Sequence, residues 1–106
     1  MKTTIKEQDG NQVAVLEGRL DTAASSAAEK EMLPLFDCMG HNIVLDCTDL
    51  DYIASSGLRI FLNILKNAKS KGSKVFIDNI NSEIRKVFMM TGFFNLFEIR
   101  DTRGAQ

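Results

Sequence analysis

Apolar and polar positions follow two different rhythms along the chain. Short β-branched runs bounded by turn signals fall at 42–47 and 74–78 and predict buried strands. Between and after them the rhythm becomes helical. Leu58, Phe61, Leu62, Leu65 and Ala68 recur at i, i+3, i+4, i+7 and i+10, which makes one continuous apolar stripe, with Arg59, Asn63, Lys66 and Asn67 turned away from it. Lys66, Lys69 and Lys71 suit the negative end of that helix, and Gly72 can terminate it. A further helix is expected from Ser82 through Ile84, Val87 and Phe88 to Gly92, and a last strand over 96–99. Strands alternating with helices after residue 40 imply a mostly parallel sheet.

The first forty residues read differently. Residues 4–7 suit a short edge strand, Asp9-Gly10-Asn11 a turn, and Val13, Val15 and Leu16 a second strand, so the two strands form a hairpin. The second run ends at Gly18-Arg19-Leu20-Asp21. Asp21 or Thr22 can cap a helix carrying Ala24, Ala27, Ala28, Met32, Leu35 and Phe36 at helical spacing. Pro34 removes a donor and crowds the preceding turn, so this helix kinks there or ends early. Met39-Gly40-His41 closes the segment. The tail, residues 101–106, is polar and expected to be mobile.

Composition narrows the function classes. At 106 residues, the chain suits one domain, and 44% hydrophobic residues suffice for a real core. A net charge of −1 lacks the basic excess of a nucleic-acid binder. No apolar run approaches the ~20 residues that span a bilayer. The N-terminus lacks the apolar segment of a signal peptide, so a cytoplasmic location is expected. Cys38 and Cys47 are too few for a zinc ribbon or redox pair and are read as structural.

The chemistry concentrates at residues 49–59, Asp-Leu-Asp-Tyr-Ile-Ala-Ser-Ser-Gly-Leu-Arg, where a strand meets a helix starting near Ser56. First-turn N–H groups have no partners inside the helix and the dipole there is positive, so an oxyanion is easily placed. The site could bind a phosphate or carry one on a serine; Ser55 and Ser56 could also be plain helix caps, Ser56 especially. Asp49 and Asp51 read as a solvated loop. A serine hydrolase would need a base beside the serine. His41, the only histidine, precedes the strand leading to Ser55 and should lie roughly 15–20 Å away at ~3.3 Å per residue. Neither an enzyme nor a metal site is expected. Met89, Met90, Phe93 and Phe94 are divided between core and partner surface, and Ile60 and Ile64, at the edge of the stripe, pose the same question.

These segments together, over nearly the whole chain, resemble the anti-sigma factor antagonists (anti-anti-sigma factors), the stand-alone STAS domains of bacteria. Gly18-Arg19-Leu20-Asp21 is similar to the family's Gly-x-Leu-Asp motif, Ser55-Ser56-Gly57-Leu58 to its serine segment, and Met89-Met90-Thr91-Gly92-Phe93-Phe94 to its late turn. The resemblance implies an α/β STAS fold: a mixed, mostly parallel sheet of about four to five strands with an N-terminal hairpin, and helices packed mainly on one face. It implies a protein that binds an anti-sigma factor when unphosphorylated and so releases a sigma factor. The anti-sigma factor would be a serine kinase of the GHKL-type ATPase class. Ser55 would be the phosphorylated residue, a PP2C-type phosphatase would reverse the reaction, and Asp21, Ile53, Ala54, Ser56, Gly57, Leu58 and Arg59 would form the partner surface. No cofactor, nucleic acid or membrane insertion is implied, and a monomer or weak dimer is expected. One residue departs from the pattern: the family's common Asp before the serines is Ala54 here. That keeps two other readings open, an unswitched STAS subunit of a larger assembly such as a lipid-transport ABC complex, and a nucleotide-sensing STAS module.

Overall fold

Asp9 and Gly10 both adopt positive φ, 54° and 80°, and join two strands as a tight two-residue hairpin loop. This is the first turn of a computed structural model that describes residues 1–37 and 40–102. Cys38, Met39 and residues 103–106 of the expected tail lie outside the described residues. The elements run β1 (Lys2–Gln8), β2 (Asn11–Leu20), α1 (Thr22–Glu31), β3 (Ile43–Ile53), α2 (Ser55–Ser70), β4 (Val75–Asp78), α3 (Ser82–Thr91) and β5 (Glu98–Arg100). Short 3₁₀ turns occupy Leu33–Phe36 and Phe93–Asn95. Pro34 sits at the start of the first of these turns, so α1 does end early.

The five strands form one sheet in the order β1-β2-β3-β4-β5. Only β1 and β2 pair antiparallel; β2–β3, β3–β4 and β4–β5 are parallel. The core draws Ala14 and Leu16 from β2, Ile43, Leu45 and Cys47 from β3, and Val75 and Ile77 from β4. Ala28, Phe61, Ile64, Leu65, Ile84 and Phe88 of the three helices pack on that same face. Period-two alternation therefore sends Val13, Val15 and Val44 to the opposite face, so Leu16 rather than the two valines marks the core side of β2. Cys47 is fully buried there, and its burial pushes the thiol pKa well above the ordinary range.

Several boundaries and faces differ from the sequence reading. β3 runs through Asp49 and Asp51, which are exposed strand residues and not part of a loop. In α1, Ser25 is buried and Ala27 exposed. In α2, Ile60 and Ile64 are core and Leu62 is half-buried. Met89 and Met90 are exposed, while Phe93 and Phe94 pack against the core around Phe88. Asn79, buried at φ 66°, ties the ends of β4 and β5 to the middle of β3. Its amide donates to Thr48 and Thr102 Oγ1, and its carbonyl accepts from the Thr102 N–H. Thr102 is thus tied down, against the expectation of a mobile tail from residue 101.

Candidate functional site

The parallel strands β2 and β3 end side by side, and a helix begins at each end. The Ala54 N–H donates to Leu20 O at 2.9 Å, which carries the pairing of the two strands to their last residues. Asp21 then caps α1, its Oδ1 accepting from the Ala24 N–H at 2.9 Å. Ala54 occupies the equivalent position before α2, in extended conformation, but a methyl group offers no acceptor. The first-turn N–H groups of Ser55, Ser56 and Gly57 consequently have no protein acceptor among the described residues; the Leu58 N–H is the first to reach back, to Ala54 O at 3.0 Å.

The two serines differ in what their hydroxyls do. Ser25 Oγ lies 2.8 Å from Asp21 O and 2.7 Å from Ser56 Oγ. A carbonyl oxygen only accepts, so the Ser25 proton is committed to Asp21. The Ser56 hydroxyl must then donate to Ser25. Ser56 holds α2 against α1 with its own proton. Ser55 is exposed, on the first helical residue, and its hydroxyl engages no partner among the described residues.

Gly57 lets this corner close. A Cβ there would meet Leu20 Cγ at 2.7 Å and Ile53 Cγ1 at 2.9 Å, inside any real carbon–carbon separation. Of the residues expected at a partner surface, Arg59 is exposed, as is the expected phosphorylation residue Ser55, and Asp21, Ala54 and Ser56 are half-buried. Ile53, Gly57 and Leu58 are buried and support that surface from beneath. His41 is engaged elsewhere, its Nδ1 donating to Gly10 O at the far end of β3. Sequence reasoning missed Ser25, although a serine four residues after a capping Asp is a recognisable back-bonding position. It also missed Asn81, which caps α3 through the Ile84 N–H and donates to Leu50 O and Asp51 O, fixing α3 against β3. Arg19 stacks on Tyr52 at 4.3 Å beside the same strand ends.

The vacant cap makes a quantitative expectation. Ala54→Asp should stabilise the fold by about 1 kcal/mol, through a cap hydrogen bond and a favourable charge at the dipole. A urea midpoint that does not rise, at unchanged slope, would show that those N–H groups are already satisfied.

Comparison with known proteins was consistent across sequence and structure. The family described as STAS domain matches residues 2–105. A Bordetella bronchiseptica protein, BtrV, named provisionally as an anti-sigma factor antagonist, is 31% identical over 105 residues, covering 99% of this chain and 90% of its own. A Thermotoga maritima crystal structure, provisionally described as an anti-sigma factor antagonist, superposes with a TM-score of 0.81 at 26% identity, covering 95% of this chain and 87% of that one. SpoIIAA of Bacillus, an anti-sigma factor antagonist, shares the fold at 18% identity in both its unphosphorylated form (TM-score 0.78, 97% and 90% coverage) and its phosphorylated form (0.74, 97% and 93%).

Proposed function

We propose that this chain, which belongs to the STAS domain family, is an anti-sigma factor antagonist switched by covalent phosphate on Ser55. Unmodified, it binds an anti-sigma factor that is a serine kinase of the GHKL type, and a sigma factor is released. Ser55 Oγ attacks the γ-phosphorus of ATP held by that kinase, the bond to the β–γ bridging oxygen breaks, ADP leaves, and the hydroxyl proton passes to a base on the kinase. A PP2C-type phosphatase hydrolyses the ester and resets the switch. The chain itself contributes a positioned hydroxyl and no catalytic group. The names of the relatives support the antagonist role, and the fold accommodates phosphate in SpoIIAA.

One observation carries the choice of residue. Of two adjacent serines, Ser56 spends its proton on Ser25 and Ser55 is exposed with its hydroxyl unengaged. The three first-turn N–H groups beside it, without a protein acceptor among the described residues, favour the added dianion. The test is incubation with ATP and the GHKL-type serine kinases of the same cell, followed by mass mapping. A single phosphate on Ser55, absent from Ser55→Ala, is expected. Phosphate on Ser56, or none with any of those kinases, would sink the assignment.

A further inference from the structure

The hydroxyl chain that begins at Ser56 runs inward and stops at a carbonyl. Ser56 Oγ lies 2.7 Å from Ser25 Oγ, which lies 2.8 Å from Asp21 O. Ser25 is only 8% exposed and shares the buried face of α1 with Ala28. Its place is set by the first turn of α1, where Asp21 accepts the Ala24 N–H through Oδ1 at 2.9 Å. A serine at this depth needs a partner for its proton, and bonding back to the carbonyl four residues earlier supplies one. Its oxygen is then left as an acceptor, and Ser56 fills that vacancy.

The Ser56 proton has no exit along this chain. To take it up, Ser25 would have to pass its own proton to Asp21 O, and a carbonyl oxygen only accepts a hydrogen bond. Phosphoryl transfer makes the opposite demand. The attacking hydroxyl must turn its oxygen to the γ-phosphorus and lose its proton to a base on the enzyme. Ser55 Oγ has no internal partner among the described residues and meets that demand. Exposure alone does not separate the two serines, because Ser56 is half-buried and not buried. The bond to Ser25 is the sharper difference.

We infer that Ser25 is a positioning residue that decides which of the two serines takes phosphate, by holding the Ser56 hydroxyl inside the domain. This role rests on the phosphorylation proposed above. Without Ser25 Oγ, Ser56 loses its acceptor and turns to solvent. The same step is then open to it: Ser56 Oγ bonds to the γ-phosphorus of ATP held by the kinase, the bond to the β–γ bridging oxygen breaks, ADP leaves, and the hydroxyl proton passes to the kinase's base. Phosphate on Ser56 would stand against α1, so the selection also protects the joint between the two helices.

The test is a gain of modification, which a merely structural role cannot produce. Ser55→Ala, with and without Ser25→Ala, is incubated with ATP and the kinase that modifies Ser55, and phosphate is mass-mapped. Ser55→Ala should take none. The double variant should take phosphate on Ser56, about tenfold or more faster than any trace on Ser55→Ala. Ser25→Thr in the Ser55→Ala background keeps the hydroxyl and should restore the exclusion. No phosphate on Ser56 in the double variant would overturn the inference and leave Ser55 as the modified residue. A second arm needs no kinase. Ser25→Ala, Ser56→Ala and their combination are unfolded in urea, and the losses should fall short of additive because either change breaks the shared bond. Strict additivity would also overturn the inference. No phosphate on the wild-type chain with any of the kinases would remove the proposed function, and the selection by Ser25 with it.

Discussion

Ser55→Asp is expected to fold as the wild type does and to bind the anti-sigma partner two to three orders of magnitude more weakly. The two halves of this expectation have separate causes. Within the domain the new carboxylate sits on the first residue of α2, where the dipole is positive and three N–H groups lack an acceptor among the described residues. A negative charge there is worth about 0.3–1 kcal/mol in favour of the fold. Thermal stability should therefore stay level or rise slightly. Against a partner packed on the same corner, the charge must leave water without a counter-ion. That costs several kcal/mol, and ~3–4 kcal/mol already corresponds to the stated loss. Phosphate, with roughly −1.5 to −2 charges near neutral pH, should act in the same direction and more strongly. Ser55→Ala should keep wild-type affinity and take no phosphate. Calorimetric titration of the three proteins against the kinase checks all of this. Equal affinities for Ser55→Asp and Ser55→Ala would remove the electrostatic switch.

The parts of the fold that were legible in the sequence are those where one residue type answers one local demand. Asp9-Gly10 gave the hairpin because both positions need positive φ. Asp21 marked the start of α1 because it supplies an acceptor where the helix lacks one. The stripe on α2 located the core, but Ile64 is fully buried and Leu62 only half. The buried face of α2 runs through Gly57, Ile60, Phe61, Ile64, Leu65 and Ala68 at spacings of three and four, so Ile64 lies near its centre and Leu62 at its margin. The length of β3 was not legible. Its second half carries Thr48, Asp49, Asp51 and Tyr52, of which Asp49 and Asp51 read as a loop. The reason is topological. β4 pairs with β3 only from Ile43 to Asp46, while β2 accompanies it to Ile53, so polar residues in the second half keep access to water. The site was legible in its position and not in its wiring. Nothing local to Ser56 announces a hydrogen bond to Ser25, thirty-one residues away.

Gly57→Ala should destabilise the domain by about 1–2 kcal/mol, although alanine is the better helix former. The added methyl would stand 2.7 Å from Leu20 Cγ and 2.9 Å from Ile53 Cγ1. Neither neighbour can yield cheaply, since Leu20 is fully buried and Ile53 nearly so. Overpacking of this kind costs roughly 1–3 kcal/mol, and up to about 1 kcal/mol of helix propensity offsets it. Relief would come from moving the start of α2 outward, which stretches the 2.7 Å bond between Ser25 and Ser56 and displaces Ser55. Partner binding should therefore fall along with stability. Leu20→Ala alone also destabilises, by about 2–5 kcal/mol, because it opens a cavity. In the double variant the truncated Leu20 makes room for the new methyl, the methyl partly fills the cavity, and the combined loss should be smaller than the sum by at least ~1 kcal/mol. Strict additivity in urea unfolding would mean that the two residues do not share this space. Coupling would explain why the Gly18-Arg19-Leu20-Asp21 segment and the Ser55-Ser56-Gly57 segment occur in one chain: the leucine of the first sets the size of the residue that the second can carry beside its two serines.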